Sequence, residues 1–283
     1  MDKFMLSQFQ ALVRREIIEH KGLFIGAPAV LGGFILLFTI WVMRQLDNEI
    51  IAGGVEYLSV LFDGLSPVQM APMFMVLALP FVITLYSCAF VYLVNCLYQD
   101  RKDMSILFWQ SMPVSNLQTV LSKILTLAVV VPVFYIAVIF LVYLVTMVLL
   151  TILGLQYDVQ VAGLGYMFMA SVVSLVLVYL SAVTTALWLL PSIGWLLLFS
   201  AFSRRMPFMW ALVVFLLIGF IEDFVFRTQY LANWVESRSN PNQYVIFQFS
   251  DLIERWLNYD MLFGVLVGTI LITGAVYMRR FID

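Results

Sequence analysis

The sequence predicts an all-α polytopic membrane protein: an N-terminal interfacial helix followed by six transmembrane helices, with both termini cytoplasmic. Three observations carry that prediction. The chain is 63 % hydrophobic and only 11 % charged, with a mean hydropathy of +1.01, which is not the composition of a water-soluble domain. Apolar runs of about 20 residues, the length that crosses about 30 Å of hydrocarbon, recur six times. The basic residues also segregate. Lys3, Arg14, Arg15, Lys21, Arg101, Lys102, Lys123, Arg204, Arg205, Arg279 and Arg280, eleven of 15, fall on one side of the six-span map, and Arg44, Arg227, Arg238 and Arg255 on the other. That asymmetry orients the chain by the positive-inside rule. Eleven of the 17 acidic residues fall on the opposite, external side.

Residues 2–21 form the interfacial element. Met5, Leu6, Phe9, Leu12, Val13 and Ile17 share one arc at 100° per residue, with Lys3, Ser7, Gln10 and Arg14 opposite. Glu16 interrupts the apolar arc. Arg14, Arg15 and Lys21 would lie near anionic lipid, each contributing about 1 kcal/mol. No cleaved signal peptide is expected, because no apolar run precedes these mixed residues.

The six spans follow at 23–43, 72–97, 116–153, 164–188, 207–221 and 261–278. Span one carries small residues four apart, Gly22 with Gly26 and Ala29 with Gly33, which let backbones approach closely in lipid, and Pro28 kinks it. A short helix around 54–62 is expected in the first external loop. Span three is longer than a bilayer requires, so its first turns project inward with Lys123 snorkelling to the surface. The apolar run 164–203 is too long for one straight span. Two separate spans there would put Arg204-Arg205 and Arg279-Arg280 outside, so one span ends near Trp188, and Pro191 and Gly194 break the helix. The remainder is a tilted continuation or half-helix at the inner face. Pro207 suits the first turn of span five. The external segment 226–258 holds two short helices, around 228–238 and 250–257.

Between spans two and three lies the loop 98–115, marked by Asp100, Arg101, Lys102 and Asp103. Asp103 is placed to cap a short amphipathic helix from Met104 to Gln110. Pro113 stops that helix, and Ser115 with Gln118 reads as a capping box for the next. Ile106, Leu107, Phe108 and Trp109 make an apolar face that either receives a cytoplasmic partner or rests in the headgroups. Asp100, Arg101, Ser105, Leu107, Pro113, Val114, Ser115 and Lys123, at this position between spans two and three, resemble the permease subunit of type-2 ABC exporters. The six-span layout extends the resemblance over nearly the whole chain. It implies that this loop carries the coupling helix that docks on a separate ATP-binding subunit, through Asp100, Arg101, Asp103, Ser105, Leu107, Phe108, Trp109 and Pro113. It also implies an elbow helix at 2–21, a second permease copy as partner, and ATP and Mg on the partner subunit alone.

The residues themselves exclude several chemistries. No G-x-x-x-x-G-K-[ST] or H-E-x-x-H occurs, and one histidine, His20, cannot supply a Ser-His-Asp set or, lacking a Cys or second His nearby, a metal site. Cys88 and Cys96, eight residues or about 12 Å apart on one helix, cannot pair with each other and read as small buried hydrophobes. No catalysis, no cofactor in this chain and no nucleic-acid partner are expected.

Two features could carry function. Ser171, Ser174, Ser181, Thr185 and Ser192 lie within about 80° on one helical face, a stripe that either lines a path for an amphipathic substrate or packs helices together. Glu222-Asp223, at the outer boundary of span five, reads as an external gate or as an interfacial cap near Arg227. Together these expectations describe a conduit in the inner cell membrane for a hydrophobic or amphipathic cargo: a lipid, peptide or drug-like molecule. An ion-coupled secondary transporter or a membrane sensor or structural subunit is the alternative. Against the former, spans one, two, three and six have no mid-membrane acid and no internal repeat is detectable.

Overall fold

A computed structural model of the chain describes residues 3–103, 114–239 and 244–280. Among them there is no strand, and twelve α-helices account for the architecture. Helix α1 is Lys3–Glu19. A π-helical turn, Gly22–Gly26, leads into α2, Ala27–Gln45; then come α3, Asn48–Phe62, and α4, Pro67–Lys102. Helix α5, Asn116–Leu125, runs through a second π turn, Thr126–Val130, into α6, Val131–Tyr157. The remaining helices are α7 (Leu164–Trp188), α8 (Leu190–Phe202), α9 (Pro207–Ile221), α10 (Tyr230–Arg238), α11 (Phe249–Trp256) and α12 (Tyr259–Met278).

Six helical stretches are long and apolar enough to cross a membrane: Gly22–Gln45, Pro67–Lys102, Asn116–Gln156, Leu164–Trp188, Pro207–Phe226 and Tyr259–Met278. They correspond to the six spans expected from the sequence. The chain is a multi-pass membrane protein.

Local chemistry explains where these helices begin and bend. Ser66 and Gln69 form a capping box at the start of α4, and Ser115 and Gln118 form the predicted one at the start of α5, each pair satisfying two orphan N–H groups. The first two π turns end just before Pro28 and Pro132, with Ala27 N–H reaching Gly22 O and Val131 N–H reaching Thr126 O. A proline ring crowds the carbonyl four residues back and donates no hydrogen bond, and a wider turn relieves both.

Span four breaks near Trp188 as expected, at Leu189, but Gly194, also expected to break the helix, lies inside α8. Leu189 leaves the helical region (φ −86°, ψ 9°), and Pro191 sits at the second residue of α8. Helix α8 then lies parallel to α12 along a glycine seam. A Cβ on Gly268 would meet the Leu190 backbone carbon at 2.7 Å, one on Gly194 would meet Leu271 Cβ at 2.8 Å, and one on Gly274 would meet Leu198 at 3.3 Å. Such small residues permit the close approach that packing in lipid depends on.

The core lies between α4, α6, α7 and α8, where Phe81, Tyr92, Tyr135, Tyr143, Leu177 and Leu197 are buried. Helices α2 and α9 are peripheral; only Pro207 and Ala211 of α9 are buried. At one end of the bundle, here the basic end, the side chains of Asp100, Lys123 and Arg279 meet.

The stretch 226–258, expected outside the spans, departs from that expectation. Part of it folds back into the bundle: Ile246 is buried, and its backbone N–H and carbonyl both bond to Ser181 of α7. The carbonyl of Tyr244 accepts from Tyr86 of α4 and Thr185 of α7. Tyr86 lies 14 residues from Asp100, so this layer sits about 21 Å along α4 from the basic end, and α4 continues for about 28 Å beyond it. The signal was composition: a loop rich in Tyr and Trp tolerates burial when hydroxyls satisfy its backbone.

Candidate functional site

Five charged side chains from four parts of the chain converge at the basic end. Lys123 Nζ of α5 lies 2.7 Å from Glu16 Oε1 of α1 and 3.5 Å from Asp100 Oδ2 of α4. Arg279, at the C-terminal cap of α12, donates to the same Asp100 oxygen at 3.2 Å, and Arg15 lies 3.6 Å from the other. Glu16, Asp100, Lys123 and Arg279 are all 5 % exposed or less. Ions this deeply buried persist only when paired and hydrogen-bonded. Tyr92 supplies a further hydrogen bond, donating to Glu16 Oε2 at 2.8 Å. The glutamate that interrupts the apolar arc of α1 is therefore what fastens that helix to the bundle.

Around the ions, His20 and Phe24 each pack edge to face on Tyr92 and are tilted against each other, with centroids 4.9–5.8 Å apart. Burial lowers the His20 pKa from its ordinary value; Glu16 opposes the shift and Lys123 adds to it. Ligand atoms of Glu16, Glu19 and His20 lie within 4.8 Å of one another. Glu16, however, is already committed to Lys123 and Tyr92, and Glu19 to Arg15 at 2.6 Å.

Of the coupling residues expected from the resemblance, Asp100 is a buried hub. Arg101 donates to Phe202 O, the last residue of α8, at 3.1 Å, and Asp103 is the C-cap of α4. Ser105, Leu107, Phe108, Trp109 and Pro113 lie outside the described residues. Lys123 corrects its expectation. It does not snorkel to the surface but is 1 % exposed and turned inward, because two carboxylates offer it more than the headgroup region does.

The hydroxyl stripe of α7 is also turned inward. Ser171, Ser174, Ser181 and Thr185 are buried. Ser171 bonds Phe168 O, Ser174 meets the Tyr143 hydroxyl at 3.1 Å, and Ser181 and Thr185 hold the inserted 244–246 backbone. In this conformation Ser181 and Thr185 receive the chain's own loop, while Ser171 bonds within its own helix and Ser174 joins α7 to α6. Ser192 alone faces a cavity of about 440 Å³ among α4, α7 and α8, lined also by Tyr86, Phe90, Leu93, Ala186 and Tyr244.

Glu222 serves as a cap: both its carboxylate oxygens accept from the Leu231 N–H, at 3.0 and 3.1 Å, at the start of α10. An anion at that position complements the helix dipole. Asp223 accepts from Gln229 at 3.4 Å.

Sequence reasoning missed Arg238, which it counted only as an external basic residue. Its guanidinium donates to Trp188 O at 2.5 Å and to Asp260 O, and it stacks over Trp188 and Trp234 at 4.4 and 4.8 Å. The guanidinium meets the carbonyl of the last residue of α7, next to the break at Leu189. A helix break predicted in an apolar run, with an arginine four residues after a tryptophan elsewhere, was the available signal.

These features define a helical membrane protein whose span ends are fastened by an ion cluster at one end and by an inserted, arginine-capped loop about 21 Å away. No protein-family model, curated protein or solved structure matches the chain.

Proposed function

We propose that this chain is the permease subunit of an ATP-driven ABC exporter, with its basic end in the cytoplasm of a bacterial-type inner membrane and the loop 98–115 as its coupling element. One observation supports this reading above the rest. The two roots of that loop, Asp100 on one side and Lys123 on the other, enter a single buried ion cluster with α1 and the end of α12. A push on the loop from a cytoplasmic ATPase would therefore reach the N-terminal helix, spans two and three, and span six together. A loop helix merely resting in the headgroups has no need of such anchorage at both ends.

In this reading the chain hydrolyses nothing itself. ATP and Mg are bound by a separate ATP-binding subunit, two permease copies assemble, and an amphipathic cargo crosses when the spans rock. The test is purification of the tagged full chain from its own host in mild detergent. The expected result is a stoichiometric Walker A-containing ATPase whose hydrolysis follows the complex, and which is lost from the Phe108→Ala, Trp109→Ala double variant while membrane insertion is kept. A double variant that holds the ATPase at wild-type levels, or a wild-type chain with no such companion, overturns the proposal.

A further inference from the structure

Charge is balanced very differently at the two ends of the fastened region. At the basic end every buried cation has a carboxylate within 4.0 Å. In the inserted layer two guanidiniums flank one tryptophan, Arg238 at 4.4 Å and Arg255 at 5.7 Å from the Trp188 ring, and neither forms an ion pair among the described residues. Arg238 at least spends two of its nitrogens on carbonyls. Arg255 NH1 is buried with no hydrogen-bond partner, as is Arg238 Nε. The helix of Arg255 carries two acids, Asp251 and Glu254, both exposed; Asp251 is within electrostatic reach of Arg255, and neither forms an ion pair with it among the described residues.

Arg238 is buried and Arg255 half-buried; a guanidinium nitrogen that is itself buried with neither counterion nor acceptor is costly and calls for a partner. Its surroundings narrow the ligand. Tyr86, within electrostatic reach of Arg255, also lines the 440 Å³ cavity, whose other walls include Ile83, Phe90, Leu93 and Leu196. That volume falls within the range of about 300–1,000 Å³ usual for ligand sites. Trp256 bonds Thr184 at 3.2 Å, so α11, which carries Arg255, is docked on α7 rather than free of the bundle.

We infer that this layer is a binding site for an anionic amphiphile, whose phosphate or carboxylate pairs with Arg255 and whose hydrocarbon tail occupies the cavity beyond Tyr86. Arg238 holds the broken span in shape and adds positive potential. The inference deepens the exporter reading by naming its cargo class, and rests on that reading for transport but not for binding.

The experiment needs no ATPase. The full chain in a mild nonionic detergent is titrated, with native mass spectrometry as readout, against three ligands sharing an oleoyl tail: lysophosphatidic acid, oleate and neutral monooleoylglycerol. The expected result is retention of lysophosphatidic acid, oleate or both at least about tenfold above the neutral ligand, the range of a charge-assisted hydrogen bond; which of the two wins separates phosphate from carboxylate. Arg255→Gln should abolish the preference and leave neutral binding unchanged, and Arg255→Lys should restore part of it. Ala186→Phe, which fills the cavity from its wall, should lower retention of all three and serves if Arg255→Gln does not fold. Equal retention of charged and neutral ligands, an Arg255→Gln protein that keeps the preference, or an Ala186→Phe protein that binds as wild type overturns the inference. Loss of charge-dependent binding in a chain that still holds its ATPase refutes this inference alone. Intact binding in a chain with no ATPase refutes the exporter reading alone.

Discussion

Replacing Asp100 with asparagine tests the ion cluster most severely. Three cations converge on that carboxylate: Arg279 at 3.2 Å, Lys123 at 3.5 Å and Arg15 at 3.6 Å. Lys123 keeps Glu16 and Arg15 keeps Glu19, but Arg279, 3 % exposed, loses its only carboxylate among the described residues. Removing one member of a buried pair costs about 3–5 kcal/mol, mostly because the other is left charged and unpaired. At about 2–4 °C per kcal/mol for a chain of this size, the melting midpoint should fall by about 6–20 °C. The two free cysteines, Cys88 and Cys96, are both buried, so a thiol-reactive dye reports unfolding in detergent without further engineering. Adding Arg279→Met to Asp100→Asn removes the stranded charge and should recover at least half of the loss, since well-packed apolar replacements of buried pairs are often neutral. A midpoint within 1–2 °C of wild type for Asp100→Asn (about 0.5 kcal/mol), or a double variant worse than the single, would refute the reasoning.

Further expectations follow from the same geometry. Because burial lowers the His20 pKa, the unfolded chain binds more protons than the folded one below the ordinary value of about 6.5. Stability is then complete above that value and falls as pH drops through it; His20→Phe should flatten the melting midpoint between pH 7.5 and 5.5 relative to wild type. Gly268→Ala forces a Cβ against the Leu190 backbone and should cost about 1–3 kcal/mol, whereas Gly33→Ala, which meets nothing within 4 Å, should melt as wild type. Ser181→Ala strands the buried Ile246 N–H at a cost of about 1–3 kcal/mol, and hydrogen exchange should rise at 244–249 before it rises in α7.

What could be read in advance divides by the range of the interactions. The spans, the capping box at Ser115, the break before Pro191 and the short helices within 226–258 are set by residues within a turn or two of one another, and the sequence displays those residues directly. The ion cluster is not local: Glu16 and Lys123 are 107 residues apart. Its trace in the sequence was an acid on the wrong face of an amphipathic helix, and a single acid of that kind does not name its partner. The insertion of 244–246 was hidden for the same reason, because α7 shows a row of hydroxyls without showing whether a substrate or a backbone will take them. Arg238 was misjudged because counting charges by loop assumes that a loop lies outside the spans.

The cluster and the inserted layer are joined by the same helices, which decides what a displacement at one can do to the other. Helix α4 carries Asp100 in the cluster and Tyr86 in the layer, and α12 carries Arg279 just past its end and Gly264, a Cβ on which would meet the Arg238 guanidinium carbon at 2.6 Å. Both separations come to about 21–22 Å of continuous helix, so the two struts are of nearly equal length and are pinned at both ends. Helix α8 ties them together, giving the Leu97 and Tyr98 N–H groups a hydroxyl from Ser200 at 3.2 and 3.1 Å while its glycine seam grips α12. A rigid frame of this kind cannot lengthen; it can only tilt. A weak joint in it is Leu189, where the span is already broken and the Arg238 guanidinium holds the Trp188 carbonyl. Tilting the frame from the loop at 98–115 would therefore be taken up at Leu189, and the first contact to change would be the one between Arg238 and Trp188, at the edge of the site inferred for the anionic cargo.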